Sequence, residues 1–554
     1  MKKLIVSICV LVMSVTMMAQ DVPNKVQRAD EKYAGLAFSE ALELYQDAYE
    51  NGKGNVDYLS VKIANCYRLL GDPEKAQDWY AKANKGTGFE PINFLYYAQT
   101  LAENERYDLA IEWYNKFLQN YPEDKRGILG IESAKRAKSL GNRPPVVTIN
   151  KTNVNSKYSD FGPSAGPDGL VFASNRRNFL TVGYTDKWTG ANYLDFYLAK
   201  NDGQGSVGSP TLLNGVANTV YHESNVSYSP DGKLMVFTRS QFNPNLFGGN
   251  IIKSSIDNVV KLKLMVYAKG DNGKWKEASE FPYNDANVSY AHPAFSADGK
   301  YIYYSSDRNG GFGGTDIWRS TVNGENFGSP ENMGPTVNTA GQEMFPFVDR
   351  SNNLYFSSNG LAGLGGLDIF RIAQHPETGK YSSPANVGRP LNSPSDDFGV
   401  TMDTVSNRGY FSSNRPGGEG SDDIYGFALA GNFVELEVLD AATHLPIDKA
   451  TISMGKQLFA TTNVSGMASS PLELNKSYNF NIEASRYKSK TVDIDNNNWP
   501  IGSTQYRTVY LECDNGNVLR GLVMEEKSKL PVPRATVTLI NKITGEEKML
   551  VTDA

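Results

Sequence analysis

The sequence predicts a multidomain chain: an α-helical repeat array, then an all-β five-bladed propeller, then β-sandwich modules. Three observations carry this. A helical apolar period runs through residues 27–140, with a step of 34 residues between Ala76 and Ala110. A tight turn, an aromatic strand and a serine-bearing ending recur five times between residues 164 and 415, with Asp-Gly as the turn in the first three. After Gly431 the strand-like alternation continues but the repeat stops. At 554 residues the chain is too long for a single core.

Taken in order, residues 1–19 read as a signal peptide. Lys2-Lys3 is the positive start, Leu4–Val15 the apolar middle and Met17-Met18-Ala19 the small-residue exit. Cys9 lies inside the apolar run, so lipoprotein processing is not expected. This reading makes the chain an exported protein. The formal net charge of -6, which becomes -8 without Lys2 and Lys3, argues against nucleic acid and anionic lipid as partners. Cys66 and Cys513 are too far apart to form a disulfide framework, and Cys66 sits on an apolar helix face.

Residues 20–140 place small and aromatic side chains at helix-pair spacing: Ala64, Tyr67, Gly71, Ala76 and Tyr80, then Ala98, Ala110, Tyr114 and Pro122. An earlier set, Ala41, Tyr45 and Ala48, matches one helix of a pair. Small residues allow paired helices to approach and aromatics fill the gaps. This stretch resembles the tetratricopeptide family, and the resemblance implies a surface for a peptide or protein.

Gly141–Pro145 stops the helices. From 146 to 431 the sequence repeats one phrase. Ala294–Arg308 (AFSADGKYIYYSSDR) has counterparts at Ser164–Arg176, Ser227–Ser240, Val348–Asn359 and Met402–Arg415. Their aligned aromatics, Phe172, Phe237, Tyr304, Phe356 and Phe411, lie 52 to 67 residues apart. A Val/Leu-Asn-Ser/Thr phrase opens most units, as at Asn155, Asn338 and Asn392, and an Asp-aromatic strand such as Asp316-Ile317-Trp318 closes most. Units of this length built from short strands predict propeller blades. The Ser-Pro-Asp-Gly turn and Ser-x-Arg ending resemble TolB-like repeats over about half of the chain. The second unit departs from the pattern, with Thr238-Arg239 and an insertion at Ser240–Lys263; the first has a long bend at Asn178–Tyr193.

Residues 432–513 alternate around a Thr-x-x-Pro turn and resemble a carboxypeptidase regulatory-like β-sandwich. Residues 516–554 begin a second copy, expected to be truncated.

The repeated Asp and Arg residues are expected to serve the strands, because a residue needed in nearly every unit serves the fold. His222 and His292 precede strands read as equivalent, which would bring them together, but two histidines do not define a metal site. No metal and no cofactor are expected. Gly363–Gly366 lacks phosphate-loop spacing and no GxSxG elbow occurs, so the chain is expected not to be an enzyme.

The order of modules resembles the periplasmic OmpA-family proteins of Bacteroidetes, including the PorE-type component of type IX secretion and gliding machinery. The resemblance implies a non-catalytic envelope scaffold whose partners include an outer-membrane secretion or gliding subunit. It also implies peptidoglycan binding, through a C-terminal domain beyond Ala554. The alternative is a propeller that binds a glycan or small ligand. In both readings the candidate surface is the aromatic side chains of the two irregular segments: Tyr184, Trp188, Tyr193, Phe242 and Phe247.

Overall fold

The computed structural model describes residues 24–86, 89–141, 145–176, 185–200, 207–213, 217–219, 221–240, 260–403, 406–514, 522–528, 530–540 and 547–552. These form a mostly β chain with seven short helices and many small sheets. The expected fold class is thereby corrected. Among the described residues the helices do not make a tetratricopeptide array, and the sheets do not make a closed five-bladed propeller. Small residues and aromatics at helix crossings are what any helix pair requires, so their spacing predicts pairing and not a superhelix. Similarly, a recurring turn-and-strand phrase predicts small sheets but not their closure. Each ladder ends at its own edge strand, and the third sheet carries a fifth strand.

The helices are α1 Lys25–Ala34, α2 Phe38–Glu50, α3 Val56–Leu69, α4 Pro73–Ala83, α5 Pro91–Glu103, α6 Tyr107–Asn120 and α7 Lys125–Gly141. Asn24, Asn55 and Asp72 cap α1, α3 and α4 by accepting from backbone N–H groups three residues on, and Pro73 and Pro91 occupy first turns. Ala41, Ala76 and Ala110 are fully buried at crossings, beside buried Tyr45, Tyr80 and Tyr114.

The first five sheets follow in order. The first holds β2 Asp160–Gly166, β3 Gly169–Ser174, β4 Asp195–Lys200 and β5 Thr211–Leu212, preceded in the chain by β1 Val147–Lys151. The second holds β6 Glu223–Tyr228, β7 Leu234–Ser240, β8 Leu262–Lys269 and β9 Trp275–Glu280. In the third are β10 Tyr290–Phe295, β11 Tyr301–Ser306, β12 Asp316–Asn323, β13 Asn326–Phe327 and β14 Glu331–Asn332. The fourth comprises β15 Glu343–Val348, β16 Leu354–Ser358, β17 Asp368–Ile372 and β18 Ala385–Asn386. The fifth comprises β19 Asp397–Asp403, β20 Arg408–Ser413 and β21 Asp423–Leu429, and β1 pairs antiparallel with β21.

Asparagine side chains stitch consecutive sheets. Asn218, Asn284, Asn338 and Asn392 each accept from and donate to the backbone of one residue in the preceding sheet: Phe196, Leu264, Ile317 and Ile369. Asn155 does the same to Ile424 of the fifth sheet. A primary amide supplies both a donor and an acceptor, which is why this position of the phrase is asparagine.

Beyond them, β22 Gly431–Asp440, β25 Met467–Glu473 and β28 Thr504–Leu511 form one sheet. A second consists of β23 Thr451–Met454, β24 Gln457–Thr461, β26 Ser477–Glu483 and β27 Lys490–Asp495. The two share a core that includes Val434, Leu436, Ile452, Phe480 and Ile482. A last pair, β29 Thr536–Ile540 and β30 Glu547–Val551, exposes Ile540, Met549 and Val551.

Candidate functional site

The repeated charged residues are engaged within the sheets. Asp160, Glu223, Glu343 and Asp397 open β2, β6, β15 and β19, and each carboxylate accepts from both the backbone N–H and the hydroxyl of the Ser or Thr four residues earlier. Three of them also meet an arginine from the end of the next strand: Arg176 at 2.6 Å, Arg239 at 2.8 Å and Arg415 at 2.5 Å. Asp316, Asp368 and Asp423 accept from backbone N–H groups of the glycine-rich bends before them. The third sheet breaks the pattern. Tyr290 stands where the others carry a carboxylate, and Arg308 lies over Trp318 at 4.9 Å.

The first strands of all five sheets line a cavity of about 60 Å³. Each bulges there, and at the bulge Gly162, Asn225, His292, Phe345 and Gly399 all have φ between 44° and 65°. Asparagine and histidine enter that region more readily than other side-chain-bearing residues, whereas Phe345 is held in it against backbone strain. The two rings stack at 3.8 Å, and burial lowers the imidazole pKa to about 3, so His292 is neutral. His222 lies elsewhere. It precedes β6 by one residue, whereas His292 is inside β10, so the expected convergence of the two histidines is corrected. His222 Nδ1 accepts from the Leu194 N–H at 3.3 Å and burial lowers its pKa.

A larger cleft, about 1000 Å³, separates the helices from the first and fifth sheets. On the helical side are Arg68, Gly71, Asp72 and Glu103; on the other are Asp186, His222, Asp396, Arg415 and Asp422. Glu103 ends α5, and burial pushes its carboxyl up to about 8, with the Asp396 charge acting in the same direction. Asp422, whose Oδ2 accepts from the Ser159 hydroxyl at 2.5 Å, is pushed up to about 6 by burial. Asp396 is also raised by burial, against the bonds it accepts from the Leu367 N–H and the Asn414 amide. Carboxyls raised as far as Glu103 and Asp422 are part-protonated near neutrality and donate hydrogen bonds when protonated. Sequence reasoning did not single out Glu103, Asp396 or Asp422. Only Asp396 and Asp422 carry a signal, since each stands immediately before a repeated acid.

Of the five aromatics singled out from the sequence, Tyr184, Phe242 and Phe247 lie outside the described residues. Trp188, 39% exposed, lies against the helices: its indole N–H donates to the Leu69 carbonyl at 3.0 Å and its ring meets Phe38 edge-on at 4.7 Å. Tyr193 packs on the His222 ring at 4.2 Å. The structure thus brings Trp188 to the helices and Tyr193 to the cleft histidine.

No family model matches the chain, and no curated protein matches it. Solved structures do. TolB from Acinetobacter baumannii is 12% identical at a TM-score of 0.26, over 51% of this chain and 60% of that one. A puromycin-hydrolyzing peptidase of Mycobacterium tuberculosis is 14% identical at 0.27, over 47% and 34%. A gluconolactonase of Xanthomonas campestris is 14% identical at 0.28, over 52% and 96%. A sialidase of Trypanosoma rangeli is 9% identical at a TM-score of 0.28, over 51% of this chain and 60% of that one. Likeness at this level carries no argument about activity.

Proposed function

We propose that this chain is a non-catalytic scaffold of the bacterial cell envelope, exported to the periplasm, that holds partner proteins of a type IX secretion or gliding assembly. One observation carries the reading: the residues repeated from sheet to sheet, including the Asp160–Arg176 and Asp397–Arg415 pairs, are bonded within the sheets they belong to. The helices and the C-terminal sheets are fastened to the same body. Tyr107 donates to the Leu364 carbonyl at 3.0 Å, and Arg371 meets Glu435 at 2.7 Å. A chain built this way keeps its outer faces at fixed spacing, which is what a scaffold requires. The test is in vivo cross-linking of the envelope followed by purification of the tagged full chain. Recovery of a defined outer-membrane or periplasmic protein is expected, and purification of the chain alone after efficient cross-linking overturns the reading.

A second reading, small-ligand or glycan binding, is favoured by the cleft of about 1000 Å³ with its convergent polar groups. Calorimetric titration with peptidoglycan fragments separates the two: saturable binding lost in Asp422→Asn supports the ligand reading.

A further inference from the structure

A second cleft, about 540 Å³, opens where α7, the fourth sheet and the C-terminal sheets meet. Its floor is apolar: Leu361, Ala362 and Ala385 on one side, Leu458, Phe459 and Ala460 on the other. Its rim is basic. Lys135 and Arg136 come from α7 and Lys456 from the turn before β24. Glu132 is the one acid of the lining, so the rim keeps a surplus of two positive charges on a chain of net charge -6. Among the described residues, none of the three cations is paired with a carboxylate.

Cations left unpaired around an apolar floor suit a ligand that carries both an acidic and an apolar group. We propose that this junction cleft docks an acidic peptide segment of a partner protein, with an apolar side chain in the floor and carboxylates at Lys135, Arg136 and Lys456. A recessed floor suits a segment that projects side chains into it and does not suit a flat lipid surface. Three separate parts of the chain build the cleft, so it exists only when all three are docked. The inference rests on the scaffold reading and names one of its binding surfaces.

The probe is a fluorescein-labelled pentapeptide alternating glutamate with leucine and phenylalanine, titrated into the full chain. Saturable binding is expected, weakened at least tenfold in Arg136→Glu and in Lys456→Glu, with unfolding midpoints unchanged. The same peptide with lysine for glutamate is expected not to bind. Absence of binding, or equal binding by the charge-reversed variants, overturns the proposal. So does capture of phosphatidylglycerol vesicles through these cations without the peptide. If the variants still recover the cross-linked envelope partner as the parent does, the cleft assignment falls and the scaffold reading stands; if neither recovers any partner, the scaffold reading falls.

Discussion

Glu223 and Arg239 meet at 2.8 Å with both side chains almost wholly withdrawn from water. Removing one member of such a pair leaves an uncompensated buried charge, at a cost of about 3–5 kcal/mol. Arg239→Ala is therefore expected to lower the denaturation midpoint strongly, and a change below about 1 kcal/mol in chemical unfolding counts against the pair's role. Glu103 makes the opposite kind of prediction. Its folded pKa, about 8, is above the ordinary 4.5, so the folded chain binds the extra proton. The stability this group contributes is complete below about pH 4.5 and is lost as pH rises through about 8. Glu103→Gln should flatten the pH dependence of the unfolding temperature over that window; an unchanged slope is the contrary result. The repeated Asp–Arg pattern was legible because it recurs. Glu103 was not, because its surroundings come from a distant sheet: Asp396 is brought near it only by folding.

At the scale of the element, the asparagine clips make the sharpest test. Asn392 binds both the N–H and the carbonyl of Ile369, fully buried. Asn392→Ala leaves those groups without partners, at roughly 1–3 kcal/mol for the orphaned donor. Faster hydrogen exchange at the Ile369 amide is expected, and exchange as slow as in the parent counts against the clip. The Trp188 bend is an element of another kind, tied to Leu69 and Phe38. Trp188→Ala should increase proteolytic cleavage in α2 and α3 while the five sheets stay protected; cleavage spread evenly counts against a local tether. Four of the five opening phrases were readable from Asn-Ser/Thr; Asn284 was hidden because proline and tyrosine precede it and aspartate follows. The bulges could be read less well still. Gly162 and Gly399 suit a positive φ, but Phe345 gives no such sign.

At the scale of the whole molecule, one buried contact joins the fourth sheet to the C-terminal sheets. Arg371, 1% exposed, donates to Glu435 and to the Thr504 hydroxyl, and its guanidinium lies over Phe433 at 4.1 Å. Arg371→Ala alone should cost about 3–5 kcal/mol, whereas Arg371→Met with Glu435→Leu should be near neutral or stabilising. Calorimetric melting of the three proteins checks this, and equal losses in single and double variants count against it. Nothing in the sequence pairs these two residues, which stand 64 positions apart.

What the sequence by itself determined is local: helix caps and crossings, Asp-Gly turns, and which residues recur because every sheet needs them. Period and turn chemistry act over a few residues and can be read from neighbours. The tertiary structure alone decided the larger arrangement. It made the helices something other than a repeat array, placed Trp188 on them, and gathered Glu103, Asp396 and Asp422 into one cleft. It also set a basic rim at a three-way junction. Those outcomes depend on burial and on contacts between distant segments, and no local pattern encodes either.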